Sequence, residues 1–156
     1  MKTLLGLDPG KDKFGWAFVT EEGKLLASGI IPSALTEARL DALLAGDLAG
    51  LSDTTRENAA NQDTLGFPAL VLLGNGTARE GLAWALASRK RAFSVVDEAY
   101  TTLEARRLYW RLHPPGFLAR LIPEGMRVPP RPIDDLAAWA LVRRFLSGRS
   151  GNGSET

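Results

Sequence analysis

The 156-residue chain is 45% hydrophobic and 24% charged, with no cysteine, a single histidine (His113) and a formal net charge of +1. That size suits one ordinary globular domain. The missing cysteines exclude disulfide scaffolds, thiol catalysis and Cys-ligated zinc, and one histidine rules out multi-histidine metal sites and disfavours a serine–histidine triad. Carboxylate is what remains for difficult chemistry, and carboxylate sites suit Mg²⁺ or Mn²⁺.

In chain order, residues 3–7 form a short Leu-rich strand that stops at the turn signal Asp8-Pro9-Gly10. Phe14 to Val19 reads as a second strand, and Glu22-Gly23 turns the chain into a third, Lys24 to Ile31. Thr36 to Leu44 is helix-like, with Leu40, Leu43 and Leu44 on one side, whereas residues 46–66 lack periodicity and read as a mobile connection. Ala69 to Leu73 has the continuous apolar character of a strand buried on both faces, and so has Phe93 to Val96. A helix carrying Leu82 and Leu86 lies between them. Thr101 opens a further helix with a capping box to Glu104, and Pro114-Pro115 stops it. A Pro-, Gly- and Arg-rich loop runs to Pro132, Ile133 to Leu146 forms a last helix, and a Gly/Ser tail follows. Three antiparallel strands followed by strand–helix units predict an α/β mixed sheet in a single domain over 1–147, with a flexible tail over 148–156. Trp16, Trp84 and Trp139 are expected in packing. No apolar run approaches the ~18 residues of a membrane span, and Asp8 interrupts any signal-peptide core, so a soluble, cytoplasmic protein with no membrane partner is expected.

The near-zero net charge hides a split. Residues 1–66 hold 6 Lys+Arg against 10 Asp+Glu, while residues 67–156 hold 13 against 8. Between Thr101 and Ile133 lie six arginines (Arg106, Arg107, Arg111, Arg120, Arg127, Arg131), no lysine and only two acids. Guanidinium forks favour bidentate phosphate contacts, although a solvated charged face has the same composition. On the helix after Thr101, Tyr109 and Trp110 are either core or stacking platforms for bases. Arg127 and Arg131, on the proline-stiffened loop, are expected to clamp substrate beside the site.

Certain acids sit where strands end or helices begin: Asp8, Asp97-Glu98 and Asp134-Asp135. Strand carboxyl ends of an open α/β sheet line one crevice, so such positions can converge. Carboxylates sharing a small site repel one another, and a divalent cation relieves the repulsion. Taken singly, Asp8 before Pro-Gly is equally a turn former, and Asp134 or Asp135 a helix N-terminal charge. Gly74-Asn75-Gly76-Thr77 reads either as a backbone anion cradle feeding a helix or as a tight turn with Thr77 as its N-cap.

Leu5-Gly6-Leu7-Asp8-Pro9-Gly10-Lys11 with Phe14-Gly15-Trp16-Ala17 resembles the first-strand motif of the YqgF/RuvX family, relatives of the RuvC Holliday-junction resolvases with an RNase H-like fold. Val95-Val96-Asp97-Glu98 followed by Thr101-Thr102-Leu103-Glu104-Ala105-Arg106 resembles the family's second motif. Ile133-Asp134-Asp135-Leu136-Ala137-Ala138 resembles its third. The resemblance implies an RNase H-like five-stranded mixed sheet flanked by helices. It also implies a Mg²⁺- or Mn²⁺-dependent nuclease with Asp8, Glu98 and Asp134 as catalytic metal ligands, and Asp135 and Asp97 as register alternatives. Its implied partners are branched DNA (junctions or flaps) or structured precursor ribosomal RNA, and junction cleavage favours a homodimer. Nucleic-acid contacts are expected from Lys11, Lys13, Asn75, Thr77, Thr101, Arg106, Arg107, Arg111, Arg127 and Arg131. The chain departs from the family at Asp12, at Ala99 (where the family has arginine) and at Leu73-Gly74-Asn75-Gly76-Thr77, which is more like the related domain of Tex transcription factors. These departures motivate a second reading, an RNase H-like module that binds branched or single-stranded nucleic acid without efficient cutting.

Overall fold

The computed structural model describes residues 2–76, 78–99, 101–123 and 126–152, with side chains described as far as Gly148. Strands β1 (Thr3–Pro9), β2 (Lys13–Thr20) and β3 (Leu25–Pro32) form an antiparallel meander, and β4 (Thr55–Asn58) adds antiparallel to β3. On the other flank of β1, β5 (Leu70–Gly74) and β6 (Ser94–Val96) pair in parallel, giving the order β4-β3-β2-β1-β5-β6. Helices α1 (Thr36–Ala45), α2 (Arg79–Ser88), α3 (Thr101–Leu112) and α4 (Asp134–Asn152) flank the sheet. This is the expected mixed α/β sheet, with six strands in place of five.

Strand pleat sorts the Leu-rich β1 onto two faces. Leu5 and Leu7 join Phe14, Trp16, Leu40 and Leu86 in the core under α1 and α2. Leu4 faces the other way and packs with Ala17, Leu72, Leu108, Leu136 and Trp139 under α3 and α4. Each buried leucine contributes ~1.5–3 kcal/mol of transfer free energy. By the same alternation Gly6 and Asp8 lie on the α3/α4 face. In register, Asp8 stands opposite Gly15 and Gly6 opposite Ala17. A Cβ on Gly15 would overlap the Asp134 backbone carbonyl, so the bare glycine is what lets the first turn of α4 settle on β2 beside Asp8. That close approach creates the site.

Several sequence expectations are corrected. Residues 46–66 are ordered. Leu48 and Leu51 are buried, Thr54 and Thr55 hydroxyls donate to the Leu51 carbonyl, and β4 extends the sheet; none of this depends on hydrophobic periodicity. β6 is not buried on both faces but is a three-residue edge strand with Val95 open to solvent. Trp16 and Trp139 pack as expected, whereas Trp84 is exposed. The capping box does not form, because Glu104 pairs with Arg143 (2.9 Å) and the Thr101 hydroxyl donates to the Glu98 carbonyl (2.8 Å). The last helix outlasts its expected end at Leu146 and continues to Asn152; the rest of the tail, 153–156, lies outside the described residues. None of the described helices is long and apolar enough to cross a membrane.

Candidate metal centre and its surroundings

Asp8 comes from the end of β1, Glu98 follows β6, and Asp134 opens α4. All three meet at the carboxyl end of the parallel strands β1, β5 and β6. Asp8 and Asp134 line a cleft of about 140 Å³ with Thr102, Ala105, Ile133 and Ala137. Burial, the neighbouring Glu98 charge, a hydrogen bond to Glu98 and the Asp134 charge push the Asp8 carboxyl up to about 8. Glu98 Oε1 is buried without a hydrogen-bond partner among the described residues. Lys13 Nζ lies 3.3 Å from Asp134 Oδ2, so the third acid is already ion-paired. Among the described residues no three acidic or imidazole side chains are set as a ready-made metal cage. Three larger recesses, of about 280, 340 and 330 Å³, are lined by none of Asp8, Glu98 and Asp134; the third adjoins Glu21 and Glu22 at the β2–β3 turn, beside Arg143.

The residues nevertheless fit a hard divalent cation. Two touching carboxylates, one buried oxygen without a donor and a third negative charge acting on the pair form an electrostatic deficit that such an ion removes. The glycines after β5 make room for this. A Cβ on Gly74 would overlap Glu98 Oε1, and one on Gly76 would come within 2.8 Å of Glu98 Oε2. Gly74-Asn75-Gly76 is thus filled by a protein carboxylate and is not the anion cradle considered from sequence. Gly74→Ala is expected to expel the Glu98 side chain and weaken Mn²⁺ binding at least about tenfold, with little change in the far-ultraviolet spectrum; isothermal titration checks this.

The register alternatives separate cleanly. Asp97 is exposed and accepts from the Ala99 amide (3.1 Å) and Arg144 (3.2 Å), outside the carboxylate pair. Asp135 is fully buried and points away from the pair. It accepts from Ser28 Oγ (2.7 Å) and pairs with Arg131 (2.8 Å), so it anchors α4 and is corrected from candidate ligand to scaffold. Arg131 also reaches Glu57 on β4 (2.8 Å), which contacts His113 (2.7 Å), and its guanidinium lies over the Tyr109 ring. Burial opposes the shift at Glu57, but His113 and Arg131 together hold its carboxyl below the ordinary value. No sequence signal pointed to Ser28 or Glu57.

Other expected nucleic-acid contacts are also reassigned. Arg127 donates to the Ala119, Ile122 and Arg120 carbonyls and closes its own loop, so neither it nor Arg131 is free to clamp a phosphate. Asn75 Oδ1 accepts the Glu98 amide (3.0 Å) and holds the Glu98 loop, and Thr101 is buried as a helix-start donor. Thr77 lies outside the described residues. Lys11, Arg106, Arg107 and Arg111 have no ion pair among the described residues and remain available. Tyr109 is buried, and Trp110 is half-buried with Nε1 near the Arg127 carbonyl, so both serve packing.

No family model matches the chain, and no curated protein does. Solved structures do. The chain is similar to Thermus thermophilus RuvC at 17% identity and a TM-score of 0.47, over 96% of each chain. It is similar to T. thermophilus RuvC in complex with Holliday junction substrate at 18% identity and a TM-score of 0.48, over 97% of each.

Proposed function

We propose that the protein is a divalent-metal-dependent nuclease of the YqgF/RuvX kind that hydrolyses phosphodiesters in structured nucleic acid. The observation that carries this reading is the half-buried Asp8–Glu98 pair, with Asp134 adding its charge at the same carboxyl end of β1. Asp8 and Glu98 would hold the ion and Asp134 would complete the set. Bound there, Mg²⁺ or Mn²⁺ supplies activation of a water nucleophile and stabilisation of the departing 3′ oxygen. An ion held there would compete with the proton for the Asp8 carboxyl. Lys13, now on Asp134, stands ready to offset negative charge on the reacting phosphate, while Arg106, Arg107 and Arg111 on α3 hold flanking phosphates.

Incubating the purified protein with Mn²⁺ and a panel of junction, flap, single-stranded DNA and structured RNA substrates tests this directly. The expected result is metal-dependent product that disappears with EDTA and in Asp8→Asn. The second reading, a module that binds without efficient cutting, is favoured by the Lys13–Asp134 pair, which leaves the third acid engaged. Salt-dependent binding of the same substrates without any product would select it.

A further inference from the structure

We infer that the loop between α3 and α4 is an apolar wedge that enters between unstacked bases of branched nucleic acid. This rests on the nucleic-acid reading above and adds a substrate-recognition surface to it. Phe117, Leu118, Met126 and Val128 are 80%, 77%, 72% and 75% exposed, and Leu121 is equally open. Monomeric proteins rarely leave such a cluster uncovered without a use for it. The loop is nonetheless built. The Arg127 guanidinium donates to the Ala119 (3.0 Å), Ile122 (2.9 Å) and Arg120 (3.3 Å) carbonyls, and Arg120 Nε donates to the Pro115 carbonyl (3.2 Å). The usual arrangement is inverted: a cation occupies the centre and the apolar side chains face outwards. Ordering these groups in advance lowers the entropic cost of docking them.

Charge identifies the occupant. Arg107 and Arg111, one helical turn apart at the root of the loop, have no carboxylate partner among the described residues. A second copy seated on the same face would bring like charges together, whereas a polyanion satisfies them. A polyanion that also offers flat apolar surfaces is nucleic acid with unpaired or unstackable bases, and apolar side chains are known to wedge between base steps. A continuous duplex hides those surfaces, so branch points and single-stranded segments are preferred. Position agrees: the loop returns at Arg131, which is tied to Asp135, the residue after Asp134. Ala105 of α3 lines the carboxylate cleft and Leu112 ends the helix at the loop root, about 10 Å further on, so roughly three base steps separate the two.

The test uses a four-way DNA junction carrying 2-aminopurine at the crossover, with Ca²⁺ present so that binding is read without cleavage. Wild-type protein is expected to raise the fluorescence on binding. Phe117→Ser/Leu118→Ser/Met126→Ser should lose the rise and about tenfold in junction affinity, with duplex affinity and Mn²⁺ binding within about twofold of wild type. A triple variant that binds and unstacks the junction as wild type does would overturn the wedge and leave the nucleic-acid reading intact. Wild type that binds none of the probes removes the nucleic-acid reading, and the wedge with it. Self-association that the triple variant abolishes while junction binding persists would make this face a subunit contact and overturn the wedge. Should the triple variant not fold, Phe117→Ser and Met126→Ser tested singly decide by the same fluorescence readout.

Discussion

Asp8→Asn is expected to lower metal-dependent cleavage by roughly 10²–10³-fold or more and, in the absence of metal, to make the protein more heat-stable at pH 8. The second effect separates this assignment from a simple loss of fold. The Asp8 carboxyl is pushed up from an ordinary 3.8 to about 8, first by burial and then by the Glu98 charge, the bond to Glu98 and the Asp134 charge. A raised carboxyl binds its proton more tightly in the folded than in the unfolded chain, so its contribution is fully present below about pH 4 and is lost as pH rises through about 8. Asparagine has no proton to lose. The melting temperature of the variant relative to wild type should therefore widen with pH, from little difference at pH 4 to a gain of roughly 5–10 °C at pH 8 in EDTA. Adding Mn²⁺ should raise wild type at pH 8 and leave the variant nearly unmoved. Equal melting curves across that range would show that the two carboxyls are not forced together, and the metal assignment would fall with them.

The candidate site was more legible in the sequence than its supports were. Asp8, Asp97-Glu98 and Asp134-Asp135 stand out as acids at element boundaries, where turn residues and broken periodicity leave a mark, and the family resemblance, not spacing, singled out Asp8, Glu98 and Asp134 among them. Gly74 and Gly76 were equally visible but pointed to the wrong ligand. A glycine turn before a helix signals room near the backbone, and the sequence does not say whether phosphate or Glu98 fills that room. The succession of strands along the chain also followed from apolar runs and turn signals. β4 did not, since Thr55–Asn58 alternates only weakly and is an edge held by pairing with β3. Arg127 and Arg131 were misjudged for a related reason: six arginines in a proline-rich stretch resemble a phosphate surface, and only the fold brings carbonyls to one and Asp135 with Glu57 to the other.

That reassignment of Arg131 carries the second large expected effect. Asp135 is fully buried, and Arg131 and Ser28 are the partners that satisfy its carboxylate. Removing one member of a buried ion pair leaves the other charge uncompensated, at a cost of about 3–5 kcal/mol. Arg131→Ala is therefore expected to lower the melting temperature by roughly 6–15 °C, measured by circular dichroism. Arg131→Lys should recover only part of the loss, because a single ammonium cannot span Asp135 and Glu57 as the planar fork does. Arg131→Ala/Asp135→Asn should be less destabilised than the sum of the single variants, the signature of a shared interaction. A clamp on substrate predicts a different pattern, with stability unchanged and a shallower salt dependence of nucleic-acid binding. The structure favours the first pattern because both amino groups of Arg131 already face carboxylates. Since Asp134 precedes Asp135 at the start of α4, loosening this anchor should also weaken Mn²⁺ binding, linking the ionic network at the β4 edge to the carboxylates at the end of β1.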